Sequence, residues 1–575
     1  LKQGVAQARW LPGGRRWLRR TGSVSAMAIL VVWIATLLSV TSAAEDCPLE
    51  IGKTFLAGSI DPTDGSTPWA LTSHGIAEKL FTVDKEGNIV GQVARSITKL
   101  DALSWEVRLR TGYQFSDGTA VTADLVAEAM TQINQNNSGN AQASVGSMNW
   151  TALGNDRLKV ESERATPVMD AVLAEWCFVV FLQRNGQTIF TGPYAVQSFT
   201  QGDRIVLIPN EHYPEAADRK SLVIKKFPNG ESVAQSLKKG QLDMAFHLPA
   251  TELESLRQQG ITVKTFDVGY HYMMWHNTRR SPLSDLLVRE AVDLALDRSQ
   301  LTQTLLGGAP TRSLFPENTP WARAETQPHG DKTGAEQKLD AAGWTKAASG
   351  SRMKNGVNLT LDLVAYPQRP GLRLMQPVIK DMLSDLGITV TAVLTDGNSW
   401  AQLDRIIAEK DFDLLMWAQN TLPAGDPQWF LNAFFRSDGG NNHAGLNSSE
   451  VDGLLDDLAH TDSHEARVSA AAAARNAILN QVPVSNLMTP AWHVGVSNRL
   501  DDYEPWGADY YVIRADMRPT NGNCPEPLPS PAPSPSASSS NTGNEASKAT
   551  YVGIGPWCWA AAGVVTALHL SLTWA

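Results

Sequence analysis

The chain has 575 residues, a formal net charge of −10, 43% hydrophobic residues and 19% charged residues. This balance is typical of a globular protein with a large core, and it excludes a wholly disordered chain. The excess of acids argues against nucleic-acid binding through bulk electrostatic attraction.

The first 44 residues are expected to lie outside the globular part. Six basic residues, the last of them Arg20, precede the apolar run 26–40, and the small residues 42–44 follow it. This order predicts a secretory signal peptide over residues 1–44, with a retained signal anchor as the alternative. We therefore expect the mature chain to be secreted or extracytoplasmic.

Helix-like and strand-like patterns alternate through the globular part. One or two long helices are predicted over 283–308, and further helices over 375–387 and 399–410. The predicted strands cover 388–394 and 412–418. Gly307 and Gly308 are expected to close the first helical stretch, and Gly387 the second. The alternation indicates an α/β fold with crossover connections.

The strand 412–418 leads directly into a polar loop between two indoles, Trp417 and Trp429. The loop contains one acid, Asp426. Because ligands in open α/β sheets bind beyond the carboxyl ends of the strands, we expect this loop to contact a ligand. The alternative for Asp426 is capping of the next helix, since Pro427 suits a first helical position.

Six stretches of the sequence carry a family resemblance. In chain order they read HGIAEKLFTVDKEGNIVGQVARSI, SWEVRLRTGYQFSDGTAVTADLVAEAM, TGPYAVQSFTQGDRIVLIPNEHYP, SVAQSLKKGQLDMAFHLP, VREAVDLALDR and AEQKLDAAGW. Together they resemble the extracytoplasmic solute-binding proteins of family 5, which serve dipeptide, oligopeptide and nickel ABC importers. The resemblance covers about residues 51–517. It implies two α/β lobes of the periplasmic-binding-protein type II fold, joined by a hinge.

The resemblance also implies a domain plan. Lobe I is expected at 47–268 with a return at 488–523, and lobe II at 269–487. A strand that crosses between the lobes passes the back of the cleft, so Tyr270, Tyr272 and Trp275 are candidate ligand-binding residues. The alternative is that half of these side chains pack inward, since strand side chains alternate.

The ligand pattern departs from both branches of the family. Peptide binders carry an acid for the peptide amino terminus where this chain has Asn420 or Thr421. Nickel binders carry an arginine where this chain has Glu175 and Trp176. Their histidine ligand has its nearest counterpart in His443.

The expected ligand is a small peptide or a related organic solute, and a nickel chelate is the alternative. Trp417, Asn420, Thr421 and Asp426 are expected to face it from one lobe. Trp69 and Trp176 are expected to oppose them from the other.

The sequence lacks the common signatures of hydrolases and zinc proteases. It contains neither G-x-S-x-G nor H-E-x-x-H, so we expect binding rather than catalysis, with no cofactor and no metal site. A secreted hydrolase, and a surface receptor without a transporter, are the alternatives. An ABC importer permease is the expected partner.

The last residues of the chain have a different composition. A Pro/Ser-rich stalk spans 524–550, and a hydrophobic tail spans 551–575. Small residues around Asn541, a polar spacer and an apolar run predict a glycolipid-anchor signal with Asn541 as the attachment site. A transmembrane helix is the alternative.

The cysteines and four sequons bear on the exported state of the chain. Cys47 and Cys524 are expected to form a disulfide, because the termini of a domain often lie close together, and Cys177 is expected to be a buried thiol. The sequons begin at Asn136, Asn149, Asn358 and Asn447, and they predict glycosylation only in a eukaryotic secretory pathway.

Overall fold

The structure is a computed structural model, and it describes residues 47–85, 87–214, 219–322 and 329–520. The predicted signal peptide, stalk and hydrophobic tail lie outside these residues. So do Cys524 and the predicted anchor residue Asn541.

Strands and helices alternate through most of the described chain. The strands are β1 (Leu49–Lys53), β2 (Glu78–Lys79), β3 (Phe81–Val83), β4 (Ile89–Gly91), β5 (Ala94–Lys99), β6 (Ser104–Leu109), β7 (Met148–Ala152), β8 (Arg157–Ser162), β9 (Val179–Arg184), β10 (Gln187–Phe190), β11 (Tyr194–Thr200), β12 (Arg204–Pro209), β13 (Leu222–Lys226), β14 (Met244–Phe246), β15 (Thr262–Asp267), β16 (Tyr270–His276), β17 (Ala309–Pro310), β18 (Thr345–Lys346), β19 (Arg352–Lys354), β20 (Val357–Asn358), β21 (Thr360–Ala365), β22 (Thr389–Leu394), β23 (Leu414–Asn420), β24 (Val484–Thr489) and β25 (Ala491–Val496). The α-helices are α1 (Thr67–Ser73), α2 (Ala123–Asn136), α3 (Ser138–Ala141), α4 (Met169–Leu173), α5 (Gly230–Lys238), α6 (Leu253–Gln258), α7 (Leu286–Ala295), α8 (Arg298–Thr304), α9 (Lys332–Ala341), α10 (Pro370–Ser384), α11 (Ala401–Glu409), α12 (Gln428–Phe435), α13 (Ser449–Ala459) and α14 (His464–Asn480). Short 3₁₀ turns occupy Ala250–Glu252, Asn498–Leu500 and Asp509–Tyr511.

Two large mixed sheets define two lobes. The first has seven strands in the order β11-β12-β13-β1-β14-β25-β15, and the second has six in the order β17-β24-β16-β23-β21-β22. Lobe I below means the described residues through β15 together with those from β25 onward, and lobe II means those between. A four-stranded sheet, β5-β6-β8-β7, belongs to the lobe I sequence.

Two short connections join the lobes. Strand β15 ends at Asp267 and β16 begins at Tyr270, while β24 ends at Thr489 and β25 begins at Ala491. Only Val268, Gly269 and Pro490 therefore lie between a strand of one lobe and a strand of the other. Short paired connections of this kind are typical of hinges.

The register of lobe II places the predicted loop beside the hinge. Strand β23 pairs antiparallel with β16, and Asn420 lies opposite Tyr270. Strand β21 pairs in parallel with both β22 and β23. The polar loop after β23 consequently starts next to the first residue of the strand that enters lobe II.

Local sequence signals explain several element ends. Thr122 caps α2, because its side chain accepts a hydrogen bond from the amide of Leu125. The predicted helical stretch 283–308 is two helices, since the Asp297 side chain accepts from the amide of Gln300 at 3.0 Å and starts α8. Helix α10 starts at Pro370, a suitable first residue, and ends shortly before Gly387, whose φ is +87°.

Candidate functional site

The two lobes meet through hydrogen bonds near the hinge. The Thr54 hydroxyl of lobe I donates to the carbonyl oxygen of Gln368 in lobe II at 2.7 Å. Nearby, Lys226 Nζ donates to the carbonyl oxygen of Asn398 at 2.5 Å. Arg373 of lobe II also pairs with a lobe I acid, Glu231. These contacts close the lobes against each other on this side.

Further contacts close the lobes where α12 approaches lobe I. Gln428 Nε2 donates to the carbonyl oxygen of Ser144 at 3.1 Å, and Gln428 Oε1 accepts from the Thr166 hydroxyl at 3.3 Å. Asn441 Nδ2 donates to Asn140 Oδ1 at 3.2 Å. The interior between these contacts and the hinge is therefore shielded by both lobes.

A charged pair lies in that interior. Arg369, at the start of α10 in lobe II, pairs with Asp509 of lobe I at 2.7 Å between Nη1 and Oδ2. Asp509 is 0% exposed and Arg369 is 5% exposed. Burial opposes the charge of Arg369, but Asp509 together with the hydroxyls of Tyr270, Tyr366 and Tyr272 raises the pKa of Arg369 above its ordinary value. The pair is buried between the lobes, so each charge depends on the other for compensation while the lobes are closed.

Aromatic rings surround the guanidinium. The centroids of Phe55, Trp69, Tyr270 and Trp492 lie 5.2 to 5.5 Å from the Arg369 carbon Cζ. At this distance each ring face attracts the cation. The structure therefore brings the predicted site residues Trp69 and Tyr270 to one buried charge.

Hydrogen bonds fix the groups around the pair. The Tyr270 hydroxyl donates to Asp509 Oδ1 at 2.6 Å, and Arg369 Nη1 lies 3.0 Å from His247 Nε2. Arginine carries only donors, so His247 Nε2 accepts and its proton sits on Nδ1, which faces the Thr54 hydroxyl at 3.4 Å. Burial, with repulsion from Arg369 and Lys53, lowers the pKa of His247 well below its ordinary value. His247 is therefore a neutral link between the lobes.

The predicted residue Tyr272 packs against the start of α10. Its hydroxyl accepts a hydrogen bond from Trp492 Nε1 at 3.1 Å, and a Cβ on Gly371 would lie 2.4 Å from its ring. Beside it is a cavity of 30 Å³ lined by both lobes. That volume suits a water molecule and not a peptide, so a peptide-sized solute would need the lobes to move apart here.

Trp176 faces the loop that follows β23. Its ring lies 6.4 Å from that of Trp429 and nearly perpendicular to it, so an indole of lobe I meets one of lobe II. Asp426 is bound within lobe II, where it pairs with Arg467 at 2.7 Å and accepts from the amide of Gln428 at 2.9 Å. Pro427 occupies the N-cap position of α12, so Asp426 lies one residue before the cap and not at it.

The remaining predicted residues lie mainly in the packing of lobe II. Trp275 is 0% exposed and stacks on Phe434 at 5.5 Å, while Trp417 contacts the His443 ring at 5.0 Å. Burial lowers the pKa of His443 to about 3. Asn420 and Thr421 are buried at the end of β23. Their role in ligand binding stays a prediction.

Three further expectations can be compared with the described residues. Within them no helix is long and apolar enough to cross a membrane, and no three His, Cys, Asp or Glu side chains are placed to hold a metal ion. Cys47 is disulfide-bonded and Cys177 is a buried free thiol. Since Cys524 lies outside the described residues, its pairing with Cys47 stays a prediction.

The two sheets, the double hinge and the charged interior define a two-lobed protein with the periplasmic-binding-protein fold. Residues 88–442 match the middle region of the bacterial extracellular solute-binding proteins, family 5. This match spans more than half of the chain, and the chain belongs to that family. The family consists of solute-binding proteins.

Several curated relatives are similar to this protein over most of its length. The chain is 22% identical over 482 residues to the nickel-binding protein NikA of Staphylococcus aureus, covering 82% of this chain and 94% of that protein. It is 26% identical over 453 residues to the "Probable D,D-dipeptide-binding periplasmic protein DdpA" of Escherichia coli, covering 72% and 83%. The crystal structure of Staphylococcus aureus NikA in complex with Ni(L-His)2 matches with a TM-score of 0.74 at 20% identity, covering 82% of this chain and all of that chain.

Sequence reasoning missed the charged core of this site. Arg369, Asp509 and His247 come from segments far apart in the chain, and none carries a local motif of its own. A lone arginine after Pro367-Gln368 reads as a surface residue. The one available signal was Asp509 itself, an acid within the aromatic stretch DYY.

Proposed function

We propose that this protein is an extracytoplasmic receptor that encloses one small organic solute, a peptide or a related molecule, between its two lobes. The observation that carries the proposal is the buried Arg369–Asp509 pair, which joins the lobes within an aromatic interior. Interiors of this kind combine apolar walls with a few placed polar groups, as ligand pockets do. The similarity to DdpA supports a peptide-like solute.

Opening and closing would couple binding to the hinge. When the lobes separate, Arg369 and the indoles Trp69 and Trp429 face solvent, and a solute gains access to them. Closure then desolvates the solute and restores the contacts of Gln428 and Arg373 across the lobes. Ligand-driven hinge closure of this type is the general mechanism of two-lobed binding proteins.

A nickel chelate is the second candidate, and the similarity to NikA favours it. A chelate brings its own metal ligands and presents mainly carboxylates and amines to the protein. Arg369 and the surrounding rings would suit such groups as well as they suit a peptide.

The family supports a proposal for the partner and for the location outside the cytoplasm. We propose that the closed receptor delivers its solute to an ABC importer permease and that it binds without turnover. Attachment to a cell surface through a glycolipid at Asn541 is also proposed, and it rests on the order of small residues, spacer and apolar run alone. The sequon residues Asn136, Asn149, Asn358 and Asn447 are all exposed, which supports glycosylation in a host that carries it out.

A thermal-shift screen tests the receptor. Dipeptides, tripeptides and nickel with histidine are added to the purified protein. The bound solute is then recovered and identified by mass spectrometry. A true ligand stabilises the folded protein by about 2.7 kcal/mol at a hundredfold excess over its dissociation constant. We expect one class to give this shift and to be recovered intact. A cleaved product would indicate a hydrolase, and the absence of any shift would contradict the proposed ligand classes.

A further inference from the structure

Glu175 is a buried acid with an unsatisfied oxygen. The residue lies in lobe I, two positions after the end of α4, and it is 2% exposed. Among the described residues, its Oε2 atom has no hydrogen-bond partner. A buried carboxylate oxygen without a partner is costly and calls for an explanation, and a group bound from outside the chain is one.

Glu78 shows that lobe I can satisfy such a group. This glutamate is also 2% exposed. Its Oε2 accepts from the Tyr113 hydroxyl at 2.5 Å, and its Oε1 accepts from the Tyr213 hydroxyl at 2.9 Å. The two glutamates are equally buried in the same lobe. Of the two, only Glu78 accepts hydrogen bonds from protein side chains on both carboxylate oxygens.

Lys79 does not donate a hydrogen bond to the unpartnered oxygen of Glu175. It attracts the carboxylate, but its Nζ donates to the carbonyl oxygen of Ala174 at 2.6 Å. Burial raises the pKa of Glu175 well above its ordinary value, attraction to Lys79 opposes the rise, and repulsion from Asp426 adds to it. Burial thus favours the neutral acid, and a cation bound to Oε2 would favour the charged form.

The turn that carries Glu175 faces lobe II. The next residue, Trp176, contacts Trp429 across the lobes, and Asp426 of lobe II is within electrostatic reach of Glu175. The indole nitrogen of Trp429 is also buried without a hydrogen-bond partner in the described part of the chain. An acid, a second acid and two indoles thus converge on the boundary between the lobes.

We propose that Glu175 binds the protonated amino group of the solute, so that the receptor selects solutes that carry an ammonium group. This inference rests on the proposed receptor function and specifies its ligand. An ammonium donates to the free Oε2 atom, and the faces of Trp176 and Trp429 attract its charge.

Paired solute pools test this selection on the full mature chain. One pool holds dipeptides with free amino termini, and the other holds the same dipeptides after N-acetylation, which removes the charge. Wild-type protein should bind the free pool at least tenfold more tightly than the acetylated pool, as measured by concentration-dependent thermal shift. This comparison uses only wild-type protein, so it tests selection for the ammonium group even if a substitution impairs folding.

Two variants then assign the selection to Glu175. Glu175→Gln keeps the shape and removes the charge, and it should lose the tenfold preference. Glu78→Gln changes an equally buried glutamate whose oxygens are already occupied, and it should keep the preference. Equal binding of both pools by wild-type protein, or an unchanged preference in Glu175→Gln, would overturn the role of Glu175 while the receptor function stands. Binding of neither pool would overturn the peptide receptor itself.

Discussion

The Arg369–Asp509 pair predicts that a single neutralising substitution opens the receptor. In Asp509→Asn the side-chain amide oxygen still accepts the hydrogen bond from the Tyr270 hydroxyl. The substitution therefore removes mainly the ion pair with Arg369. Removal of one member of a buried ion pair costs about 3–5 kcal/mol, since the other charge is left buried without compensation. Arg369 escapes this cost if lobe II swings away and returns its guanidinium to water.

The expected effect is therefore on closure and not on the folding of either lobe. A loss of about 3 kcal/mol changes the ratio of closed to open molecules by more than a hundredfold. With the stabilising solute present to drive closure of the wild type, small-angle X-ray scattering should show a larger radius of gyration for Asp509→Asn than for wild type. The midpoint of thermal unfolding should fall only slightly, because each lobe keeps its own core.

A matched control lies entirely within lobe I. Asp243 pairs with Arg499 at 2.8 Å, and both residues are nearly as buried, at 4% and 6% exposure. Asp243→Asn should lower the thermal midpoint strongly without changing the radius of gyration, because no movement of lobe II can solvate Arg499. The reasoning is refuted if Asp509→Asn keeps the wild-type radius and loses as much thermal stability as Asp243→Asn.

Three other predictions concern stability. Burial raises the pKa of Glu78 from 4.5 to about 7, so the folded state holds a proton that the unfolded state releases. Stability should fall by up to about 3 kcal/mol as pH rises from 4.5 to 7, and Glu78→Gln should flatten this profile in urea unfolding. Cys47→Ser and Cys524→Ser should each lower stability by about 2–5 kcal/mol, and the double variant should lose no more; additive losses would contradict the pairing. Thr122→Ala should cost about 1 kcal/mol in chemical denaturation, and a neutral result would deny the capping role.

Local patterns were sufficient for much of the fold. The predicted strands 388–394 and 412–418 correspond to β22 and β23, and the capping role of Thr122 is confirmed. The pattern at 283–308 allowed one or two helices but did not place the break at Asp297, because a helical period continues across a residue that caps the second helix. Periodicity reports which face is apolar, and it is insensitive to one capping side chain.

The site was harder to predict because it depends on which strand face meets the other lobe. Alternation places Tyr270 and Tyr272 on one face of β16 and Trp275 on the opposite face. The sequence alone does not show which of these faces meets the other lobe. Only the tertiary structure shows that the first two approach Arg369 and Trp492 and that the third packs on Phe434. The partnership of Arg369 with Asp509 likewise arises from long-range packing that no local pattern encodes.

Hydrogen–deuterium exchange with the solute that stabilises the protein tests most directly whether binding occurs between the lobes. The account predicts slower exchange on both facing surfaces at once, in residues 174–177 of lobe I and residues 417–430 of lobe II, together with the hinge around Gly269. Protection confined to one lobe, or to the surface groove between Thr131 and Thr151 on lobe I, would contradict it.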